Sequence, residues 1–387
     1  MNATPRMYYL DRLRAFLTML VIAHHAAIAY GAGGSWYFED VDKTEITVSM
    51  VLLTMFTAVN QSFFMGLFFF LSGYFTPSSY DRKGPARFLA DRFVRLGVPL
   101  AAFHFALGPL VEFIAGRTGY DRFGAYYRAE VLSFRSDHFG PLWFVETLLY
   151  FAILYAGWRL FAARRSRSAG ARVAAAESVA ATASLPAPSD RALLAAAVGL
   201  GLIAFAVRLV YPTGTDVLGM QLGYFPMYVA LFAAGIAAKR SGWLDRLDPA
   251  LTRRWSIVSL AAIPVLPIAL VATGALEGNM TFAGGMNAQA FVYAMWEPFV
   301  GFGIILYLLR RFALRDKPPT ALQRARNDAA FGAYVIHPLI VVAASLTLVG
   351  VPLHPALKFA LVAAASIPLC FAAAWLLRRV PGADRIL

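Results

Sequence analysis

Residues 11 to 32 read DRLRAFLTMLVIAHHAAIAYGA, two arginines followed by an apolar run that carries the adjacent pair His24 and His25. The hydrocarbon core of a bilayer, roughly 30 Å thick, takes about 20 mostly apolar residues as a helix, because backbone groups in lipid must satisfy one another. The quoted stretch has that length, and nine later runs repeat the pattern at 46–75, 88–114, 140–161, 192–211, 222–238, 255–272, 288–309, 329–348 and 355–377. The expected fold is all-α, a polytopic transmembrane helix bundle of about ten helices. Composition agrees: 59% of the 387 residues are hydrophobic and 15% charged, against roughly 45–50% and 25% in a soluble domain. The second and third runs exceed the usual length and are expected to tilt or to pass beyond the hydrocarbon.

Orientation follows from the placement of Lys and Arg, which resist translocation. With the N-terminus inside, the groups at 6–14, 82–95, 159–191, 239–254, 310–326 and 378–385 hold 28 of the 35 basic residues. The first outer loop is acidic instead, with Glu39, Asp40, Asp42 and Glu45. Both termini are therefore expected in the cytoplasm (N-in/C-in), and the protein in the cytoplasmic (inner) membrane. Arg6, Arg12 and Arg14 before an apolar run imitate a signal peptide, but the run opens a series of similar spans, so no cleavage is expected. A single transmembrane domain is expected over 1–387. It is interrupted at about 162–191 by an Ala-, Arg- and Ser-rich stretch with Pro186 and Pro188, read as a flexible cytoplasmic linker. Glu177 and the arginines around it argue against an additional span there. No internal repeat of the kind found in transporters built from two related halves is evident.

The net charge of +13 does not indicate nucleic acid, because the basic residues lie between apolar runs and not along a polar surface. The one cysteine, Cys370, allows no disulfide within the chain and reads as a packing residue. His104 and His337 are scattered without metal-ligand spacing, so no metal site is expected. No phosphate-cradling glycine loop is present, and no tightly bound cofactor is expected.

Chemistry concentrates on the first span. Arg14 and His25 are eleven residues apart, which at about 100° per residue returns them to nearly one helix face, separated by about 16 Å of rise. Arg12 points elsewhere. Ionisable residues inside a membrane face interiors and are functional candidates, although Arg14 also suits a snorkelling anchor and His25 an interhelical hydrogen bond. His24, about 100° round, suits a neighbouring helix. A dry site favours the neutral imidazole, which accepts a proton from a hydroxyl. Glu146 and Glu297 lie at roughly 9 to 14 Å from the outer ends of their spans and His25 at about 10 Å, so either carboxylate is placed to fix the imidazole tautomer. Asn60, Gln61 and Ser62 read as hydrogen-bonding between helices.

Several motifs resemble the membrane-bound acyltransferase 3 family. Tyr9-Leu10-Asp11-Arg12-Leu13-Arg14-Ala15, followed by His25, resembles its Leu-Asp-x-x-Arg opening and its Arg, ten residues, His signature. Phe68 to Phe75, ending Leu71-Ser72-Gly73-Tyr74-Phe75, resembles its Phe-x-Ser-Gly-Phe/Tyr element. Arg92-Phe93-Val94-Arg95 resembles its cytoplasmic Arg-x-x-Arg element, Leu142-Trp143-Phe144 its Leu-Trp-Phe stretch, and Tyr334-Val335-Ile336-His337 its Tyr-x-x-His element. Glu146 follows Trp143 by three residues where many members have a glutamate after five, which brings the chain nearer the branch of periplasmic glucan succinyltransferases.

The resemblance implies an O-acyltransferase. It would move an acyl group from cytoplasmic acyl-CoA, as donor substrate, to a hydroxyl of an extracytoplasmic acceptor, a carbohydrate or another compound. Within that reading His25 is base or nucleophile, Glu146 and Glu297 are candidate supports, and Arg14, Arg92 and Arg95 hold the donor phosphates, a task suited to guanidinium forks. His337 is placed either against the donor or in a core hydrogen bond. A secondary transporter or exporter of a small molecule or glycan is the alternative, and a membrane scaffold a further one.

Overall fold

The computed structural model describes residues 7–43, 46–135, 138–168 and 187–386. Arg6, Glu45, Glu177 and Pro186, with most of the expected linker, lie outside the described residues. Among the described residues ten helices are long and apolar enough to cross a membrane. They are α1 (Tyr8–Ala29), α2 (Val48–Lys83), α3 (Pro85–Ile114), α4 (Trp143–Ser168, led in by the 3-10 turn Gly140–Leu142), α5 (Asp190–Arg208), α6 (Phe225–Ser241), α7 (Pro249–Ala272), α8 (Ala288–Ala313), α9 (Ala321–Leu346) and α10 (Pro355–Leu377). Each coincides with one expected run.

Where the ends differ, capping chemistry overrides hydropathy. Helix α7 starts at Pro249, six residues before the apolar run, because Asp248 accepts from the amides of Ala250 at 2.9 Å and Leu251 at 3.1 Å. Proline at the first helical position loses no hydrogen bond there. Helix α9 starts at Ala321 because Thr320 and Gln323 form a reciprocal capping box. Helix α2 passes through Pro77 to Lys83 and stops where Gly84, at φ 73°, precedes Pro85. Helix α4 runs to Ser168, so the first residues of the expected linker are helical.

Helix α3 departs most from expectation. It contains two wide π turns, Phe93–Gly97 and Phe103–Leu107. Pro99 and Pro109 follow Arg95 and Phe105 by four residues and have no N–H to give those carbonyls. The Tyr127 hydroxyl takes up the carbonyl of Phe105 at 2.8 Å. Arg92 closes the α-helical stretch and Arg95 sits in the π turn, so regular α-helical spacing does not hold between them.

The described residues group into two compact bodies. The first draws on the described residues within Met1–Phe64, Val98–Trp143 and Arg311–Leu387, the second on those within Met65–Gly97 and Phe144–Arg310. In the first, α1 packs on α9 and α10, and Leu10, Leu13, Leu17 and Ile22 have no exposure at all. Lipid tails are as apolar as leucine, so tight packing and polar ties must hold such helices together. Arg12 supplies one tie by donating to the carbonyls of Arg315 and Lys317, while Asp316 accepts from the amide of Tyr9 at 2.9 Å.

In the second body α8 is central: 72% of its apolar window is buried, against 17% for α5 and for α7, which present apolar faces outward. Glycines permit close backbone approach. A Cβ on Gly73 would collide with the carbonyl of Phe232, and one on Gly235 with that of Phe70. The Ser72-Gly73 element is thus where α2 crosses α6.

Candidate active site

His25 lies in the last two turns of α1. Its ring stacks on Trp36, with centroids 4.0 Å apart and planes at 15°, and lies nearly parallel to His337 at 4.9 Å. The Nδ1 of His25 is 2.9 Å from the Nε2 of His337. His337 is completely buried, and its Nδ1 lies 2.5 Å from the carbonyl oxygen of Tyr334. The Tyr334 hydroxyl donates in turn to the carbonyl of Pro141. Elements from four separate stretches of sequence meet here, all inside the first body.

The loop after α1 holds Trp36 in place. The Asp40 amide bonds the carbonyl of Ala29 at 2.9 Å, the Trp36 amide bonds Glu39 at 3.0 Å, and Lys43 pairs with Glu39 at 2.9 Å. Lys358, at the start of α10, anchors the loop through Asp40 at 2.5 Å. The next residue, Tyr37, leaves no room for a side chain at Gly140: at φ 45° a Cβ there would fall on the Tyr37 hydroxyl.

Helix α1 is unbroken, so the stripe from Arg14 to His25 survives. The two arginines near its start divide the work. Arg12 is largely buried as a clamp, whereas the Arg14 side chain is 47% exposed and pairs with Asp11. Beside Asp11 opens a pocket of about 250 Å³ lined by Tyr8, Asp11, Pro319, Arg324, Asn327 and Asp328.

The remaining candidates have partners of their own. Glu146, on α4, accepts from the Tyr150 hydroxyl at 2.6 Å, and Glu297, on α8, accepts from Arg208. At the Nδ1 of His25 stands the imidazole of His337. In the second body the Arg92 guanidinium lies 5.3 Å from the centre of the Phe88 ring, and Arg95 is exposed. His24 is buried against Phe64 at 4.9 Å. Ser62 donates to Val59 within its own helix and not across helices.

A polar cluster that the sequence did not indicate sits where α3 meets the following segment. His138 Nδ1 is 2.9 Å from Glu112 Oε2, the Tyr126 hydroxyl donates to the same oxygen at 2.6 Å, and the His104 ring lies 5.5 Å from that of His138. Burial, then the hydrogen bond to Glu112, raises the pKa of Tyr126 above the usual tyrosine value. The sequence signal available was Glu112 itself, a carboxylate one turn from a helix end in need of a donor.

Comparison with known proteins bears on what such a site does. The chain is similar to proteins named Glucans biosynthesis protein C. It is 27% identical to that of Escherichia coli O6:K15:H31 over 161 residues, 40% of each chain. It is 29% identical to that of Shigella dysenteriae serotype 1 over 161 residues, again 40% of each. With that of Salmonella paratyphi B it shares 27% over 176 residues, 44% of each. The match thus spans less than half the length of these curated relatives. No solved structure matches the chain. The family model described as an acyltransferase domain, Acyl_transf_3, matches residues 7–375, nearly the whole chain, and the protein belongs to that acyltransferase family.

Proposed function

We propose that the protein is an integral membrane O-acyltransferase that moves an acyl group from cytoplasmic acyl-CoA to a hydroxyl of an extracytoplasmic carbohydrate. The observation that carries this reading is the first helix itself. At one end it presents the half-exposed guanidinium of Arg14, paired with the pocket-lining Asp11, and about three turns further along it stacks the His25 ring on Trp36 and sets it beside His337. Membership of the acyltransferase family supports group transfer, and the name of the similar proteins supports a glucan as acceptor.

In this mechanism the His25 imidazole takes the proton of the acceptor hydroxyl as its oxygen attacks the thioester carbon. The tetrahedral adduct collapses by breaking the carbon–sulfur bond, and the departing thiolate recovers the proton from the imidazolium, leaving an ester and free CoA. Arg14 is assigned to the donor phosphates, a task suited to a guanidinium fork. The 28 basic residues gathered in alternate connections support an orientation with both termini in the cytoplasm, and residence in the inner membrane is part of the same proposal.

The test is thiol release from acyl-CoA by purified protein in the presence of a periplasmic glucan. His25→Ala is expected to lower turnover by about a hundredfold to ten-thousandfold, the range for loss of a general base, with the protein still folded. Turnover equal to wild type in that variant excludes the mechanism. Glycan export that proceeds without acyl-CoA favours a transporter.

A further inference from the structure

Helix α9 carries His337 and Pro338 side by side. In a regular helix the amide of residue 338 would donate to the carbonyl of Tyr334, four residues back. Proline has no amide hydrogen, so that carbonyl is left without its helical donor in a buried place, where an unmet acceptor is costly. The His337 ring turns back and fills the vacancy: its Nδ1 lies 2.5 Å from the Tyr334 oxygen. The same device recurs on α3, where Pro109 frees the carbonyl of Phe105 and the Tyr127 hydroxyl takes it at 2.8 Å.

A carbonyl oxygen only accepts, so the His337 Nδ1 must carry the proton. A neutral imidazole with hydrogen on Nδ1 has a lone pair on Nε2. That nitrogen is 2.9 Å from the Nδ1 of His25, so the hydrogen between them belongs to His25. His25 in turn then has its lone pair on Nε2.

We propose that His337 is a positioning residue which, through the carbonyl freed by Pro338, fixes His25 in its Nδ1–H form and leaves Nε2 as the reacting atom. The inference rests on the reading of His25 as the group that meets the acceptor. It adds a direction to that reading. When Nε2 takes the hydroxyl proton, His25 becomes an imidazolium whose Nδ1–H is still accepted by His337. The pair therefore needs no rearrangement during the proton's arrival or its departure to the leaving thiolate. The stacked indole of Trp36, at 15° to the ring, fixes rotation about the remaining axis. In serine hydrolases a carboxylate sets the histidine tautomer; here a second neutral imidazole takes that place.

Nitrogen-15 NMR of histidine-labelled full-length protein in lipid nanodiscs reads the tautomer directly, with His25→Ala and His337→Leu used to assign the two rings. The wild type is expected to show both histidines as Nδ1–H forms, each with an unprotonated Nε2. A His25 signal protonated on Nε2 overturns the proposal without any mutant activity being needed. In turnover assays His337→Leu is expected to lower kcat on the order of tenfold to a hundredfold, as loss of an orienting partner does, with KM for acyl-CoA unchanged. His337→Gln keeps an acceptor at the Nε2 position and is expected to recover part of that loss. Pro338→Ala returns a competing amide to Tyr334 and is expected to give a mixed tautomer at His337 and an intermediate kcat. Wild-type kcat in His337→Leu while His25→Ala is inactive sinks the positioning role alone. Full activity in His25→Ala sinks the catalytic reading beneath it. Should His337→Leu not fold, the Gln and Ala variants carry the same comparison.

Discussion

Arg208 donates to Glu297 with both side chains almost out of reach of solvent, 1% and 9% exposed. The guanidinium lies between two tyrosine rings, 5.0 Å from the centre of Tyr224 and 4.9 Å from that of Tyr293, and its Nε bonds the carbonyl of Gly223 at 3.1 Å. Arg208 is among the largest fully buried side chains. This charge at the end of α5 is a polar centre of the second body.

Removing one member of such a pair strands the other charge. Arg208→Met or Glu297→Leu alone is expected to destabilise the detergent-solubilised protein by about 3 to 5 kcal/mol, whereas the double variant is expected to be markedly more stable than either single one. Thermal melting of the three variants gives the coupling. Additive losses in the double variant would show that the two side chains act independently.

Arg12 and Arg14 sit two residues apart and are expected to fail differently. Arg12→Ala leaves the carbonyls of Arg315 and Lys317 without their donor and is expected to cost about 1 to 3 kcal/mol of stability. Turnover per folded molecule should change little. Arg14→Ala removes an exposed pair with Asp11, worth at most about 1 kcal/mol, so its melting temperature should change little while KM for acyl-CoA rises. A loss of stability in Arg14→Ala with unchanged KM contradicts the division.

The ten spans could be read from the sequence because lipid imposes a length and an apolar run on every crossing helix. Their ends were less legible, since Asp248, Thr320 and Gly84 act through single hydrogen bonds or one backbone angle that hydropathy does not register. His25 stood out by its spacing from Arg14 along one helix. Its partner His337 is 312 residues away in sequence, and nothing local announces that contact. Local sequence did hold one clue, the His337-Pro338 pair, because proline always frees the carbonyl four residues before it. Glu297 was read for His25 from its depth in the span alone, and its actual partner Arg208 is 89 residues away in sequence.

Two glycines separate steric need from backbone need. A side chain at Gly73 would meet the backbone of Phe232, which cannot withdraw, whereas Gly84 has open space around it and only its φ of 73° to defend. Gly73→Val is expected to prevent α2 from seating on α6 and to abolish recovery of folded protein. Gly84→Ala is expected to cost about 1 to 2 kcal/mol, the strain of a left-handed residue, and to remain active. Size-exclusion profiles and melting temperatures of the two variants make the comparison, and comparable yields of folded protein contradict it.

The Tyr126–Glu112 bond gives an alkaline signature. Burial, reinforced by the carboxylate at 2.6 Å, raises the pKa of Tyr126 in the folded protein above its unfolded value of about 10. A raised pKa means that the folded state keeps a proton which the unfolded state gives up. The stability contributed by this bond is thus fully present below about pH 10. It is lost as the pH climbs toward the folded pKa. Tyr126→Phe should therefore melt at a lower temperature than wild type at pH 8, and the gap should close as the pH is raised past about 10. The difference between the two melting curves isolates this hydroxyl from the other tyrosines, which both proteins share. A gap that stays constant from pH 8 to the alkaline limit would place the contribution of Tyr126 in ring packing and not in its bond to Glu112.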